Sequence, residues 1–469
     1  MSSIGRIIST ASNALQANQA ALSVTGQNVA NASTEGYSRQ RALMVESPVT
    51  RLAQGSFGGG VMVQGVERMR DILLDAAFRT ESSKSEGFRS HADLMRRVEG
   101  AMGEPGDAGI SAALDRFYSA WSELATAPES EAARSGLRQV TEALTFRMNE
   151  VSSGIERLRL DGFERLEQGV GRVQALVADV VAINRSIVTA EASGVQAPDL
   201  RDSRDRALDE LARLLPIQVQ QNADGTVRVN LGGIGIVDGQ KIPEFGLDAT
   251  GGQFRLMVGS RSIALSSSEG QLGGIMQAVN HDIPALRAGL DAMANALVES
   301  VNSLHRTGTN PLGQEGVDFF HVPLDGAGDP LPVSAAGIRL SDAVLASALA
   351  IAAGPGSGEV DNEFQPGVNS LALSLAGLRD QPLAALGGQS VSSRFGQIVG
   401  EAANATRRSR DGTEVHRILA QQADHRRAEV SGVSLDEEMV KLIQFQAAYS
   451  AAARVLSAAD EMLQTLLQI

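Results

Sequence analysis

Near the N-terminus, hydrophobic residues recur with the alternating three- and four-residue spacing of a helix that packs lengthwise against another helix. One line of this pattern repeats every seven residues and consists of Ile8, Leu15, Leu22 and Val29. The alternate line consists of Ile4, Ala11, Asn18 and Thr25. Arg6 is the only charged residue between positions 2 and 34, whereas a helix that faces water usually carries charges on its outer side. The pattern therefore predicts a first helix that other protein covers on several sides.

The C-terminal end carries a second heptad pattern. It starts at the sequence of a capping box, in which Ser434 can accept a hydrogen bond from the amide of Glu437 and the Glu437 side chain can reach back. Every seventh position is then occupied by Leu435, Leu442, Tyr449, Leu456 and Leu463. The alternate line consists of Phe445, Ala452, Ala459 and Leu466. This pattern predicts a helix of roughly 50 Å that packs along a partner helix.

The two ends carry opposite charge, which favours their packing against each other. Residues 1–70 contain six arginines and three glutamates, whereas residues 431–469 contain two basic and five acidic residues. The attraction is modest because salt screens charges at the surface. We expect the two terminal helices to pair as a coiled-coil stalk.

The region between the ends combines long helices with a small β-rich insert. Three-and-four spacing of apolar residues continues through 110–124, 137–158, 170–180 and 286–301. From about 129 to 192 it predicts a continuous helix of roughly 90 Å. Residues 218–220 and 227–231 instead alternate apolar and polar side chains around Asp224-Gly225, a strong hairpin signal. The Gly- and Pro-rich stretch 307–390 gives no secure assignment beyond a short helix at 338–349.

These patterns predict a mainly α fold with a β-rich insert, in the α+β class. Residues 1–70 and 431–469 form a terminal coiled-coil or assembly domain. Residues 71–214, 271–320 and 390–430 form a long-helix bundle domain, into which a small antiparallel β domain at 215–270 is inserted. Residues 321–389 form an outer segment whose fold the sequence does not specify.

Composition narrows the function classes. The chain has 469 residues, enough for about three folding units, and a formal net charge of −14. That charge argues against nucleic acid and against an anionic membrane surface as partners. The chain contains no cysteine, which excludes disulfides and thiolate metal sites. No secretory signal peptide and no apolar run of about 20 residues is visible, so we expect no membrane insertion.

The sequence gives only weak signals for catalytic or ligand-binding residues. The six histidines are scattered without a metal-ligand spacing, and Ser357 lacks the spacing of a nucleophile elbow. Gly232, Gly233 and Gly235 lie in a β meander rather than in a nucleotide-binding loop. The charged run 201–206 is interpreted as a solvated helix face. We therefore expect no enzyme activity, no cofactor and no metal.

The end of the first helix carries a motif. Residues 28–40 have the sequence NVANASTEGYSRQ, in which Asn31 and Ser33 favour a helix end and Gly36 permits a positive φ. This stretch resembles the signature of flagellar rod, hook and hook-associated proteins, and its ending YSRQ is most similar to the hook-associated protein 1 family. Val29 replaces the usual isoleucine of that signature. Glu35 stands where proline is frequent.

Further matches follow in order along the chain. The C-terminal runs 431–438 (SGVSLDEE), 442–446 (LIQFQ) and 459–463 (ADEML) are similar to the closing signature of the same family. Residues 199–209 (DLRDSRDRALD) resemble the segment that enters the family's β domain. A later set of residues resembles the segment that leaves the family's β domain. The set consists of Gly273, Gly274, Asn302, His305, Gly308 and Asp318-Phe319-Phe320. The region 320–390 is short for the family.

The resemblance implies a structural subunit of the bacterial flagellum that forms a ring at the junction of hook and filament. It implies export through the flagellar type III apparatus and secretion to the flagellum. The implied partners are further copies of the chain, the hook protein, hook-associated protein 3 and an export chaperone that holds the C-terminal helix. One alternative is another axial protein, such as a hook or distal-rod subunit. The other is a monomeric helical bundle, either an enzyme or a receptor fragment.

The assembly interface is predicted on the two terminal heptad patterns and on the N-terminal motif. The predicted interface residues are Ile8, Leu15, Leu22, Asn28, Val29, Asn31, Gly36, Tyr37, Arg39, Leu435, Leu442, Phe445, Tyr449, Leu456, Leu463 and Leu466.

Overall fold

The computed structural model describes residues 3–48, 50–52, 55–239, 241–355 and 367–467. The helices of this part are α1 (Ser3–Ala30), α2 (Ile72–Met102), α3 (Ile110–Thr126), α4 (Glu131–Ala190), α5 (Pro198–Leu214), α6 (Gly270–Gln277), α7 (Ile283–His305), α8 (Asp342–Ala346), α9 (Ser370–Gly377), α10 (Val391–Ser431) and α11 (Leu435–Leu467). The strands are β1 (Gln40–Glu46), β2 (Thr50–Leu52), β3 (Gly55–Phe57), β4 (Val61–Arg68), β5 (Ile217–Gln221), β6 (Val227–Leu231), β7 (Ile234–Val237), β8 (Phe245–Asp248), β9 (Arg255–Val258), β10 (Arg261–Ile263), β11 (Gly308–Thr309) and β12 (Gly354–Pro355). The predicted class, mainly α with a β-rich insert, is confirmed.

The two ends of the chain come together. Helix α1 packs along α11, and strands β1 and β4 lie on α1. β1 pairs antiparallel with β4, from Gln40 opposite Arg68 to Glu46 opposite Val61, and β2 pairs with β3 between them. The terminal helices pair as their heptad patterns predict.

Long helices form the body of the chain. Helix α2 packs along α10, and α4 packs against α3 and α5. The 60-residue α4 begins where the Ser130 hydroxyl accepts a hydrogen bond from the amide of Ala133, a regular N-cap. Trp121, Phe117 and Phe319 meet in the buried core, with the Trp121 and Phe319 ring centroids 5.2 Å apart.

Helix α4 contains an 18-residue window of mean hydropathy 1.4, apolar and long enough to cross a membrane by length and composition alone. The sequence reading missed this window. Its apolar side chains include Val173, Val177 and Val180, which are buried in the core beneath the neighbouring helices. Such burial is typical of the central helix of a helical bundle.

The β-rich insert consists of two three-stranded antiparallel sheets, in the orders β5-β6-β7 and β10-β9-β8. Gly225 turns the predicted hairpin with φ +82, and Ile217 lies opposite Leu231 in its register. In the outer segment the predicted helix at 338–349 is shorter than expected. Leu340 forms a β-bridge with Phe320, so the helix α8 starts only after its N-cap, Ser341.

Candidate assembly interface

The two terminal helices bury mainly small apolar side chains. The buried apolar residues of these two helices are Ala11, Ala17, Ala21, Val24, Ala452 and Ala459. The larger residues of the predicted line, Ile8, Leu15, Leu22 and Val29, are half-buried beside them. Small buried side chains allow close approach of the elements that pack on α1, which are α11, β1 and β4.

Much of α11 is left uncovered by the described part of the chain. Leu442, Phe445, Leu456 and Leu463 are half-buried, whereas Leu435 and Tyr449 are exposed. The side chain of Leu466 lies outside the described residues. Away from α1, the helix also exposes Met439, Val440, Ile443, Val455 and Met462. Apolar exposure of this extent is typical of a surface that another protein covers.

A groove of about 530 Å³ separates α1, β1 and α11. Val24, Leu43 and Phe445 contribute its apolar wall, and Glu438 and Lys441 lie at its polar side.

Asn28 connects the end of α1 to the rest of the terminal domain. Its Nδ2 donates to the carbonyl of Gln40 (2.9 Å) and to Oε2 of Glu438 (2.8 Å). Its Oδ1 accepts from the Tyr37 hydroxyl (2.9 Å) and from the Gln40 amide (3.0 Å). The buried amide therefore satisfies all its usual hydrogen bonds, and one side chain links α1, β1 and α11.

Arg39 joins the same cluster from the strand side. Its Nε donates to Oε1 of Glu438 (3.0 Å) and its Nη2 donates to Oε2 of Glu437 (2.6 Å). Its amide donates to the carbonyl of Ser431 (2.8 Å), just before α11 begins. Arg39 thus fixes where the last helix leaves the helical body.

The electrostatics of this cluster are set by burial together with hydrogen bonds, which act in opposite directions on Glu438. Glu438 is 1% exposed, and burial acts to raise its pKa. Hydrogen bonds from Asn28, Lys441 and Arg39 outweigh burial and hold the pKa of Glu438 below its ordinary value. Burial, reinforced by the Asp202 carboxylate, raises the pKa of Tyr37 to about 12, which keeps the phenol protonated as a donor.

The turn after α1 depends on Gly36 and Asn31. Gly36 has φ +78, and a Cβ there would lie 2.5 Å from Cδ of Arg206. Arg206 reaches this turn because its Nη1 donates to the carbonyl of Glu35 (3.3 Å). The Nδ2 of Asn31 donates to the carbonyl of Gln27 (3.0 Å), which closes the end of the helix.

The charged run 201–206 is not a solvated face, so that prediction is wrong. Arg201, Asp202, Arg204 and Asp205 are all buried, because α5 packs under the end of β4 and against α2. Sequence reading of one helix could not show the charged partners that cover it, which are far away along the chain.

Asp202 ties the N-terminal motif to α5. Its carboxylate accepts from the Ser38 hydroxyl (2.6 Å), the Ser38 amide (3.1 Å) and Nη1 of Arg68 (2.5 Å). The neighbouring Asp205 accepts from the same Arg68 nitrogen (3.0 Å) and pairs with Arg70 (3.4 Å). Burial acts to raise the pKa of Asp205, but the surrounding guanidinium groups, Arg70 foremost, keep it below its usual range.

A third group of charges joins α2, α5 and α10. Asp209 accepts from Nε of Arg79 (2.6 Å) and from Nη1 of Arg427 (2.7 Å). The guanidinium of Arg427 also lies 4.0 Å from the ring centroid of Phe78. The segments 28–40, 199–209 and 431–438, far apart in sequence, therefore meet at one joint between the terminal domain and the helical body.

Among the predicted residues, the structure brings Asn28, Tyr37 and Arg39 together and places Asn31 and Gly36 at the adjoining turn. The partner residues that sequence reasoning left out of the site are Glu437, Glu438, Asp202, Asp205, Arg68, Arg70 and Asp209. The charged segment 199–209 was the available signal, since it stood out as a motif.

Two further arrangements bear on chemistry. His91 lies between the Ser409 hydroxyl (2.8 Å from Nδ1) and Asp282 (3.0 Å from Nε2). Because Ser409 and His91 are both buried, we interpret this chain of hydrogen bonds as a link between α2, α10 and the π-helical turn before α7. Among the described residues, no group of three or more acidic or histidine side chains is arranged to hold a metal ion.

Three protein-family models match the chain. The model for the Flagellar hook-associated protein FlgK helical domain matches residues 95–320. The model described as Flagellar basal body rod FlgEFG protein C-terminal matches residues 426–469, and the Flagella basal body rod protein model matches residues 8–37.

Curated proteins and one solved structure give similar results. The flagellar hook-associated protein 1 of Bacillus subtilis is 30% identical over 502 residues, which cover 98% of this chain and 97% of that protein. The flagellar hook-associated protein 1 of Escherichia coli is 22% identical over 561 residues and covers 99% of both. The flagellar hook junction protein FlgK from Burkholderia pseudomallei has a TM-score of 0.65 at 14% identity, over 76% of this chain and 100% of the other, and so shares the fold.

Proposed function

Because this chain belongs to the flagellar hook-associated protein 1 family, we propose that it forms the junction between hook and filament as a ring of identical subunits. The family is one of structural flagellar proteins and not of enzymes. The chain is accordingly a hook-associated structural protein of the bacterial flagellum. The position at the junction, the ring and the route of export are the parts that we propose.

One observation carries the proposal of assembly. Helix α11 is covered on one side by α1 and exposes Met439, Val440 and Ile443 on the other. A lone chain gains nothing by holding these side chains in water, whereas packing between subunits buries them. The first helix supports the same proposal, because with Arg6 as its one charge it has little reason to face solvent.

The hydrogen bonds of the joint support a mechanical role for the chain. Asn28, Arg39 and Glu438 hold α1, β1 and α11 together, and Asp202 ties this unit to α5. Charge-assisted hydrogen bonds are roughly twice as strong as neutral ones and fix the geometry of the groups that they join. A junction subunit must transmit torque from hook to filament through such a connection.

The partners proposed are the hook protein on one side and hook-associated protein 3 on the other. An export chaperone that covers α11 before assembly is proposed as well, since the exposed apolar surface would otherwise associate non-specifically. Export through the flagellar type III apparatus and secretion to the flagellum complete the proposal.

A single substitution tests whether the uncovered face of α11 is needed. We expect Ile443→Asp to leave the purified protein folded, because Ile443 is 61% exposed, but to leave cells with bare hooks and filament protein in the medium. Leu373→Asp on α9 is the matched control, since Leu373 is 55% exposed but lies outside the terminal helices. Full motility of the Ile443→Asp strain would contradict the proposal. Loss of the hooks themselves would favour the alternative, a hook or distal-rod subunit.

A further inference from the structure

Methionine side chains are buried in the helical body and exposed in the terminal domain. The methionines of the body that are at most 4% exposed are Met95, Met102, Met148, Met276 and Met293. In the terminal domain, Met62 is 44% exposed on β4, and Met439 and Met462 are 48% and 46% exposed on α11. A reagent dissolved in water therefore reaches the thioethers of α11 but not those of the body.

The two methionines of α11 belong to the apolar surface that the described part of the chain leaves uncovered. Met439 lies one helical turn before Ile443, so these two side chains share a face of the helix. Met462 lies two turns after Val455 and shares a face with it in the same way. Ile443 and Val455 are both exposed. A protein that packs on these faces of α11 therefore also covers the thioethers.

An accessible thioether reacts with peroxides to give a sulfoxide. The sulfur lone pair attacks one oxygen of hydrogen peroxide, and a sulfur–oxygen bond forms while the oxygen–oxygen bond breaks. The sulfur is oxidised by two electrons, and the peroxide is reduced to one molecule of water, which takes up both hydrogen atoms. The reaction requires that the peroxide reach the sulfur, so burial of the side chain prevents it.

The product is polar where the reactant was apolar. A thioether packs well in an apolar interface because it is flexible and polarisable. The sulfoxide oxygen is instead a hydrogen-bond acceptor, and burying an acceptor without a donor costs free energy. Oxidation of Met439 or Met462 would therefore weaken any apolar contact that α11 makes with another subunit.

We propose that Met439 and Met462 form an oxidation site on α11, at which hydrogen peroxide converts the thioethers to sulfoxides and so stops the free chain from assembling. The proposal rests on the proposed function, because it requires that subunits bury the uncovered face of α11. The same packing shields both sulfur atoms once a subunit is in place. Oxidant therefore acts on the addition of subunits and not on the finished structure.

Peptide mass mapping of the purified full-length protein, treated with hydrogen peroxide, tests the chemistry independently of assembly. We expect Met439 and Met462 to be oxidised at least about tenfold faster than Met95 and Met148, which are buried and serve as internal controls. Incubation with a methionine sulfoxide reductase and a thiol should restore the original mass of the α11 peptides. Equal oxidation rates at the α11 and the buried positions of the folded protein would overturn the proposal.

Filament growth in cells tests the consequence for assembly. The chain is induced in a deletion strain, with or without sublethal hydrogen peroxide in the medium, and hooks that carry filaments are counted by electron microscopy. We expect peroxide to lower this count at least about fivefold for the unaltered chain but not for the double variant Met439→Leu, Met462→Leu, which keeps the side-chain volume and lacks the sulfur.

The matched control is the double variant Met95→Leu, Met148→Leu, which removes two buried methionines and should stay as sensitive to peroxide as the unaltered chain. Equal loss of filaments in the unaltered chain and in the α11 double variant would overturn the proposal. The proposed function fails in a different way. A deletion strain that carries filaments before induction would contradict the junction role itself, and the oxidation proposal with it.

Discussion

Glu438 is the residue whose change should most weaken the attachment of α11. In the variant Glu438→Gln the side chain keeps its size but loses its charge and one acceptor oxygen. The carboxylate accepts from Asn28 (2.8 Å), Arg39 (3.0 Å) and Lys441 (3.1 Å) while being 1% exposed. The amide nitrogen of the variant would also be a donor that faces the donors of Asn28, Arg39 or Lys441.

The size of the effect follows from these contacts. Breaking a buried ion pair by removing one partner costs about 3–5 kcal/mol. Arg39 keeps its 2.6 Å contact with Glu437 in the variant, and Lys441 is partly solvated, so both retain some compensation. We therefore expect a loss of about 2–3 kcal/mol in the free energy that holds α11 in place.

Hydrogen exchange of the α11 amides, followed by mass spectrometry, measures this local stability directly. The control is Glu437→Gln, since the Glu437 side chain is 60% exposed. We expect that variant to lose less than about 1 kcal/mol, as exposed ion pairs do. Equal protection of α11 in the two variants would refute the reasoning, because it would mean that the burial of Glu438 has no energetic consequence.

The same residue should give a pH signature. Because the folded chain holds the pKa of Glu438 below its ordinary 4.5, its contribution is present above pH 4.5. It is lost as pH falls through the lowered, folded-state pKa. Protection of α11 in the unaltered protein should therefore decline over this acidic range more steeply than in Glu438→Gln.

Two further predictions concern the helical body. Gly274→Ala should lower the free energy of unfolding by about 1–3 kcal/mol, because a Cβ there would lie 1.9 Å from the carbonyl oxygen of Gly87. Urea unfolding measures this loss against the control Gly171→Ala, whose added Cβ would meet no atom within 4 Å, and equal stability of the two variants would contradict the close packing at Gly274. Burial lowers the pKa of His305 from 6.5 to about 4, so the unfolded chain binds the proton more readily than the folded chain. The free energy of unfolding should therefore fall by roughly 3 kcal/mol as the pH drops from 6.5 to 4. Urea unfolding at each pH should show a flatter dependence for His305→Asn, and an unchanged slope would contradict a buried neutral imidazole.

The sequence was sufficient for the helices but not for their exact contact lines. Heptad spacing predicted the pairing of α1 with α11, because periodicity reports which side of a helix is buried. It favoured the line of Leu15 and Leu22, whereas the structure buries Ala17 and Ala21 more completely. Spacing alone does not distinguish two neighbouring lines, since the most buried line can be the one with the smallest side chains.

The joint shows the other limit of sequence reading. Asp202 and Asp205 looked like solvated charges on α5, but Arg68 and Arg70 approach them from more than a hundred residues away in the chain. No local spacing reports such a partner. Only the resemblance of their segment to a family motif could mark the charged residues at the joint as special. Residues 321–389 carried neither a clear apolar periodicity nor a family motif, so their fold could not be predicted.

The central claim is that the chain connects filament to hook, and removal of residues 435–469 in the native host tests it most directly. Electron microscopy of the cells would count hooks with and without filaments, with an immunoblot of the medium for filament protein. The account predicts complete hooks that stay bare and filament protein shed into the medium. Filaments of normal length on the truncated strain would contradict it.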